Sequence, residues 1–442
     1  MSGEPQARPD GRATAKEPDV DGERAQRAGA QPPESTVGVP IFNPFDPAFR
    51  ADPYPFYAQL REQDPVHVSP FGFTVLTRYE DVSRTLRGAE FSRDVEANAV
   101  VQDADTARAL RRETLRRRYE SGEAAKSILG LDPPDHTRLR RLVSLAFTPS
   151  AIERLRPRVQ QLVDDCLDRA ADRGSTELVD DLAFPVPFQV ISDLLGMPTE
   201  RSDEIRDWSQ TLTGALEPTA DHATMEAAEL ASQQLGAYLR EVIDDRREHL
   251  GDDLLSQLLL VEDDGDRLLP AELMSFVVLL YVAGHETTVN LIGNGTLALL
   301  RHPDELVRWR DDPSLDASAV DELLRYDGPV QQTVRIPMQE VRYGDVTVPA
   351  GSTVMTVLGA ASHDPAMFDD PETLHLDRPN ANRHLGFAAG IHYCLGASLA
   401  KLEATVAITT LIRRFPGLEL AGEPSWRDRL TIRGVDHLPL SW

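Results

Sequence analysis

Cys394 stands in the string HLGFAAGIHYCLGASLAKLEA, directly ahead of a segment with helical periodicity. Gly386, Gly390 and Gly396 make the approach compact, which lets backbone amides point at the sulfur. Those amides and the following helix N-terminus favour a thiolate. A thiolate in such a loop is either a nucleophile or a metal ligand. A nucleophile needs a base, and only His392 stands near in sequence, which favours the ligand; an inert buried cysteine is the plain alternative. Cys166, mid-helix in LVDDCLDRA, has no such loop and is read as structural.

A second constellation, LLYVAGHETTVNLIGNG, falls inside a long helix expected over Pro270–Arg301. Ala283 and Gly284 remove side-chain bulk where a flat ligand can approach the backbone. Glu286 sets an acid beside the Thr287 hydroxyl, which is expected to bond back to the Ala283 carbonyl and open the helix locally. A buried helix with a satisfied threonine is the alternative. In a third, DELLRY, Glu322 and Arg325 stand one helical turn apart, although most such pairs are solvated bridges. In a fourth, LDPPDHTRLRRLVSLAF, His136 and Arg140 share a helix face at i, i+4. Two donors so placed suit paired carboxylates on a ligand, although a solvated charged face is the more common explanation for such a run.

These residues need a scaffold, and 442 residues with 41% hydrophobic content supply a sizeable core. Helical periodicity dominates from Tyr79–Gly88 through Arg108–Tyr119, Thr137–Ala146, Ala151–Arg173, Glu200–Leu212, Ala223–Arg247 and Leu254–Leu260 to Pro270–Arg301. It returns at Gly396–Arg414. Alternation in VHVSPFGFTVLT and in EVRYGDVTVPAGSTVMTVLG predicts a hairpin and a small antiparallel sheet, with a further short strand near Thr431. The fold class is therefore mainly α, one large helical fold over 39–442 with a small antiparallel β region. Residues 1–38, rich in Pro, Gly, Ala and mixed charge, read as a disordered tail. A net charge of −26 repels phosphate backbones and argues against nucleic acid. Neither a secretory signal nor a membrane anchor is evident, which points to the cytoplasm.

Taken in order and spacing, the four constellations resemble the cytochrome P-450 family, the haem-thiolate monooxygenases, in its soluble bacterial form. The resemblance covers about Asn43 to Trp442. FAAGIHYCLG is similar to the family's haem-binding signature, with Phe387, Gly390, His392, Cys394 and Gly396 in register; AGHETT resembles its oxygen-activation motif and ELLR its Glu-x-x-Arg motif. The resemblance implies haem b (iron protoporphyrin IX) with Cys394 as the iron's proximal thiolate and Phe387 shielding the sulfur. It implies that His136, Arg140, Arg335 and His392 pair with the haem propionates, and that Ala283 lies against the haem. Glu322, Arg325 and Arg378 form a buried structural network behind it. Glu286 and Thr287 relay protons during dioxygen activation.

The implied activity is insertion of one oxygen atom from O2 into an apolar small molecule, with electrons from a ferredoxin-type partner docking on the cysteine side near Arg138 and Arg141. The implied pocket is lined by the Phe91–Gly130 and Thr211–Thr224 segments, Val282, Ala283, Thr287, Val330–Val334 and the Thr431–Val435 stretch with Ile432. Polyketide, terpenoid, steroid and fatty acid substrates all suit it. Two departures stand out. Ala388 replaces the glycine usual after the signature phenylalanine, implying a stiffer loop, and Ser362-His363-Asp364-Pro365 replaces Asn-Arg-Asp-Pro, expected to be peripheral. Arg108, Arg111, Arg112, Arg116, Arg117 and Arg118 form either a solvated helix face or a cationic mouth for an acidic substrate. Two alternative functions are a peroxygenase, against which the Glu286-Thr287 pair argues, and a non-catalytic recruiting domain, against which the intact thiolate and relay argue.

Overall fold

Pro270 suits the first turn of a helix because its missing N–H is one that no intrahelical carbonyl would claim. Glu272 accepts the Leu269 amide at 2.9 Å, and the helix runs to Arg301, where His302 precedes Pro303 and leaves helical backbone. In the computed structural model, which describes residues 40–95, 117–119, 121–122, 124–144, 147–263 and 266–442, this long helix carries both residues of the expected relay. It is long and apolar enough to cross a membrane, yet 67% of its most apolar window is buried within the protein, so it is a core helix. Against it pack Pro185–Leu195, His222–Glu248, Ala319–Asp327 and Ala397–Arg414.

The architecture is mostly helical, as expected, with several small sheets. The periodic segments resolve as Tyr79–Arg87, Asp135–Ser144, Ser202–Gly214, His222–Glu248, Leu254–Leu260 and Ala397–Arg414. The expected continuous helix over Ala151–Arg173 is two helices, Pro149–Glu153 and Arg156–Ala171. Pro157 is the cause: its ring and absent N–H cannot continue a helix from Glu153 but fit the first turn of a new one. Helix Pro185–Leu195 escaped the sequence reading because Pro185 and Pro187 look like loop punctuation, whereas both fall in its first turn. The tail over 1–38 and most of the helix expected at Arg108–Tyr119, with Arg108, Arg111, Arg112 and Arg116, lie outside the described residues.

The main sheet has five strands in the order Val66–Val68, Phe73–Leu76, Thr353–Val357, Gln332–Pro337 and Phe91–Ser92. It is mixed rather than antiparallel, because Thr353–Val357 runs parallel to Phe73–Leu76, with Thr353 opposite Phe73. The strand expected near Thr431 is a single bridge, Val330 to Ile432, beside a hairpin of Ser425–Trp426 and Val435–His437. The helices share one large core, while smaller clusters sit under the main sheet and around Phe42, Phe49 and Tyr57.

Candidate functional site

The Cys394 loop is built from two left-handed residues two positions apart, Ala388 at φ 58° and Gly390 at φ 73°. A side chain on Gly390 would place its Cβ 2.5 Å from the Leu86 carbonyl oxygen, so only glycine lets the loop press onto helix Tyr79–Arg87. The turn closes with Cys394 N donating to Phe387 O at 3.1 Å and Ala388 N to Leu385 O at 2.7 Å. Phe387 and Ala389 are buried, and Gly396 caps helix Ala397–Arg414. The loop does not by itself deliver the expected thiolate. Burial pushes the Cys394 thiol up, and the Gly396 amide and Arg140 pull it down by less. Desolvation wins because the sulfur is enclosed, so deprotonation needs a stronger positive charge at the sulfur, as a metal ion provides.

His392 from this loop meets His136 from helix Asp135–Ser144 with ring centroids 4.3 Å apart. Burial pushes the His392 imidazole down to about 3, and His136, Arg335, Arg93 and Arg140 add repulsion. Arg335 lies in the strand Gln332–Pro337, where burial pushes its guanidinium down to about 9 with further repulsion from Arg93. Arg93, which sequence reasoning missed, is pushed down to about 10 by burial, and its Nη1 shares the Val334 carbonyl (2.8 Å) with Arg335 Nη1 (2.9 Å). Flanked by Ser92 and Asp94 at a strand end, Arg93 reads in sequence as a solvated turn; only the fold turns it inward. Five basic groups thus converge, and Asp132, bonded to the Arg93 amide at 2.9 Å, is the carboxylate that acts on Arg335 and His136. Three guanidiniums so crowded, beside two imidazoles, call for an anion. A ligand with two carboxylates answers that demand.

On the long helix, Thr287 Oγ1 donates to the Ala283 carbonyl at 3.1 Å, the back-bond read from sequence. Ala283 is exposed in the middle of a buried helix, and Thr287 one turn later is half-buried, so the two share an open face. Glu286 does not face Thr287. It is buried, and its Oε2 accepts from Arg427 Nη1 at 2.7 Å on the side of the C-terminal hairpin.

Glu322 is fully enclosed. Arg325 Nε and Nη2 donate to its two oxygens at 2.7 and 2.9 Å, and Arg378 Nε lies 3.1 Å from both. Arg325 also donates to the carbonyls of Ser362, Pro371 and Thr373. This is a buried network rather than a surface bridge, and it corrects the peripheral placing of Ser362–Pro365. Ser362, His363 and Asp364 are buried, and Asp364 Oδ2 accepts from Tyr79 N at 2.7 Å.

Among the expected pocket residues, Val330 and buried Ile432 are joined by their bridge, Val334 lies in the strand leading to Arg335, and Val282 is half-buried on the long helix. Of the two arginines expected near an electron donor, Arg141 is exposed, and Arg138 is paired with Glu272 and with Asp266 at 3.2 Å, which weakens the draw of Arg138 on an acidic partner.

Haem fits this arrangement on the chemistry of the donor set. A single sulfur stands in a tight loop, an exposed alanine opens one helix face, and three crowded arginines with two imidazoles suit a pair of carboxylates. Comparison with known proteins agrees. The family model described as Cytochrome P450 matches residues 93–311 and 313–424. The chain is 42% identical to Cytochrome P450 107B1 of Saccharopolyspora erythraea over 92% of this chain and 99% of that one. It is 39% identical to 6-deoxyerythronolide B hydroxylase of the same organism, over 89% and 96%. The crystal structure of P450BioI with a hexadec-9Z-enoic acid-ligated acyl carrier protein superposes with a TM-score of 0.81 at 34% identity, covering 89% of this chain and 99% of that chain. With its cysteine loop, helix motif and buried Glu-x-x-Arg pair set in that fold, the chain belongs to the cytochrome P450 family of haem-dependent monooxygenases.

Proposed function

We propose that this monooxygenase binds haem b through Cys394 and oxidises an apolar polyketide or fatty acyl compound. The observation that carries the haem site is the convergence of Arg93, His136, Arg140, Arg335 and His392 close to the Cys394 loop. Haem bound there would supply dioxygen-activating iron, and the Cys394 thiolate would raise its electron density. The protein's own residues do the rest. Arg93, Arg140 and Arg335, with the His136 and His392 imidazoles as hydrogen-bond donors, would hold the propionates, while Phe387 and Ala389 keep water from the sulfur. Thr287 holds a proton at Oγ1, and Glu286, whose Oε2 is held on the hairpin side by Arg427 at 2.7 Å, is the acid of the expected relay. Ala283 leaves room at the helix face, and Val330 and Ile432 form an apolar wall that orients substrate.

The substrate class rests on relatives whose names include 6-deoxyerythronolide B hydroxylase and a polyketide biosynthesis P450 of Bacillus subtilis, and on a solved myxobacterial relative with myristic acid. Two electrons come from a ferredoxin-type protein in the cytoplasm, docking on the cysteine side near exposed Arg141. The test is the visible spectrum of dithionite-reduced protein under carbon monoxide, in wild type and Cys394→Ser. A Soret band at the wavelength that names the family, lost in the variant, supports the ligand assignment; a band unchanged by the substitution overturns it. Spectral titration with 6-deoxyerythronolide B and with myristic acid then tests the substrate class, and a shift with neither rejects it.

A further inference from the structure

Arg427, Arg429 and Arg433 stand close together in the string WRDRLTIRG, and by composition they would make a cationic mouth beside Ile432. The structure spends all three on the protein itself. Arg427 Nη1 donates to Glu286 Oε2 at 2.7 Å, and Arg433 Nε donates to Asp327 Oδ1 at 3.1 Å. Arg433 Nη1 donates further to the carbonyls of Arg50 and Ala51. Arg429 turns to the end of helix Ser202–Gly214, where Nη1 donates to Thr213 Oγ1 and Nη2 to the Gln210 carbonyl, both at 2.6 Å.

The amides of the same bend are also taken. Glu217, in the loop that follows helix Ser202–Gly214, accepts from Leu430 N at 2.9 Å through Oε2 and from Thr431 N at 3.0 Å through Oε1. Thr431 Oγ1 in turn donates to the Leu216 carbonyl at 3.2 Å. Two consecutive N–H groups aimed at one carboxylate make a receptor for an anion, and here the chain supplies the anion. Glu217 is half-buried, with Leu216 before it 58% exposed and Ile432 of the bend only 7% exposed. The carboxylate therefore stands where the surface meets the wall of Val330 and Ile432. Burial pushes its carboxyl up, and the amides and Arg429 pull it back by less.

We propose that Glu217 is a specificity-determining residue, whose fixed negative charge at this rim selects a neutral acyl compound, an ester, lactone or thioester, over the free carboxylic acid. This rests on the reading of Val330 and Ile432 as the substrate wall and of the substrate as a polyketide or fatty acyl compound. An acyl chain lying along Ile432 with a carboxylate at its end brings a second negative charge to the rim. The groups of the bend that could receive it, the Leu430 and Thr431 amides and the three arginines, are already engaged. A charge brought out of water without a partner is costly, and two like charges near a protein surface repel at an effective dielectric of about 20. An ester or lactone carries acceptors and no charge, so it meets neither cost.

The experiment measures spectral dissociation constants of myristic acid and methyl myristate at pH 8, which keeps the acid ionised, for haem-loaded wild type, Glu217→Gln and Glu217→Asp. Wild type is expected to bind the ester about tenfold or more tightly than the acid. Glu217→Gln keeps an oxygen for the two amides and loses the charge, so the acid should gain about tenfold while the ester changes by less than about threefold. Glu217→Asp keeps the charge and should keep the wild-type acid-to-ester ratio, even where its shorter reach weakens both probes. A clamp that only holds the wall in shape moves both probes together, so an unchanged ratio in Glu217→Gln overturns the proposal. If Glu217→Gln fails to load haem, the wild-type ratio at about 0.05 and about 0.5 M salt decides, because repulsion between charges shrinks with screening and a ratio indifferent to salt overturns the charge role. Wild type binding the acid as tightly as the ester also overturns it and leaves the acyl reading standing. Wild type binding neither probe, nor 6-deoxyerythronolide B, removes the acyl and polyketide reading itself, and with it the proposal.

Discussion

Arg325 meets Glu322 in a two-pronged pair, 2.7 and 2.9 Å, with neither side chain exposed to solvent. Arg378 lies against the same carboxylate, so one negative charge serves two buried guanidiniums. Glu322→Gln leaves both cations uncompensated, and breaking such a pair is expected to cost about 3–5 kcal/mol in denaturant unfolding. Arg325→Met and Arg378→Met should also destabilise. Unchanged unfolding midpoints for Glu322→Gln would show that the backbone carbonyls around the guanidiniums suffice.

Thr287 offers a cleaner separation of chemistry from stability. Its hydroxyl spends its one proton on the Ala283 carbonyl, so Thr287→Ala should change unfolding free energy by less than about 0.5 kcal/mol. Product yield per NADPH should fall while peroxide release rises. A variant with wild-type coupling would remove Thr287 from the relay.

Glu403 lies on the helix that follows Cys394, buried to 1% exposure, and burial raises its carboxyl well above the usual range against a weaker pull from Thr288. The folded state therefore holds this proton where the unfolded chain gives it up. With the folded value above the unfolded one, stability is highest below the unfolded value and declines as pH rises above it. Glu403→Gln should raise the thermal midpoint at pH 8 relative to wild type and flatten the decline between pH 5 and pH 8. A lower midpoint at pH 8 would mean that the charged form is the one the fold prefers.

Ala388 and Gly390 invert the usual expectation for alanine and glycine. Alanine in the left-handed region costs about 1–2 kcal/mol, and glycine's extra freedom in the unfolded chain costs about 0.4–1 kcal/mol. Ala388→Gly is therefore expected to stabilise slightly, by up to about 1 kcal/mol. Gly390→Ala adds strain to a contact 2.5 Å from the Leu86 carbonyl and should lower both the melting temperature and haem retention. Calorimetry of the two variants side by side checks the inversion.

Much of this was legible in the residues. Pro270 and Pro303 bracket the long helix, the i, i+4 spacing of Ala283 and Thr287 gives the back-bond, and the cysteine signature gives its own loop. Family resemblance supplied His136, Arg140, Arg335 and His392, and the fold brought together groups as distant in sequence as His136 and His392. What escaped is non-local or ambiguous by type. Arg93 and Arg427 sit among charged neighbours that look solvated, and nothing in SRD or WRDR says which arginine turns inward. Prolines cut both ways, hiding helix Pro185–Leu195 and breaking the one after Glu153. Glu286 faces away from Thr287 because consecutive helical residues point in different directions, and adjacency in sequence was mistaken for adjacency in space.

The parallel pairing of Phe73–Leu76 with Thr353–Val357 has a consequence for how the chain is made. About 280 residues separate the partners, and at roughly 5–20 residues per second a ribosome needs some 14–56 seconds to supply the second strand. Until then the amino-terminal hairpin has a bare edge and a half-built sheet, a template for other chains. Production of the folded protein should therefore respond more to slower initiation and to chaperone supply during synthesis than to substitutions in the helices, because the exposed edge is set by gene order and translation time.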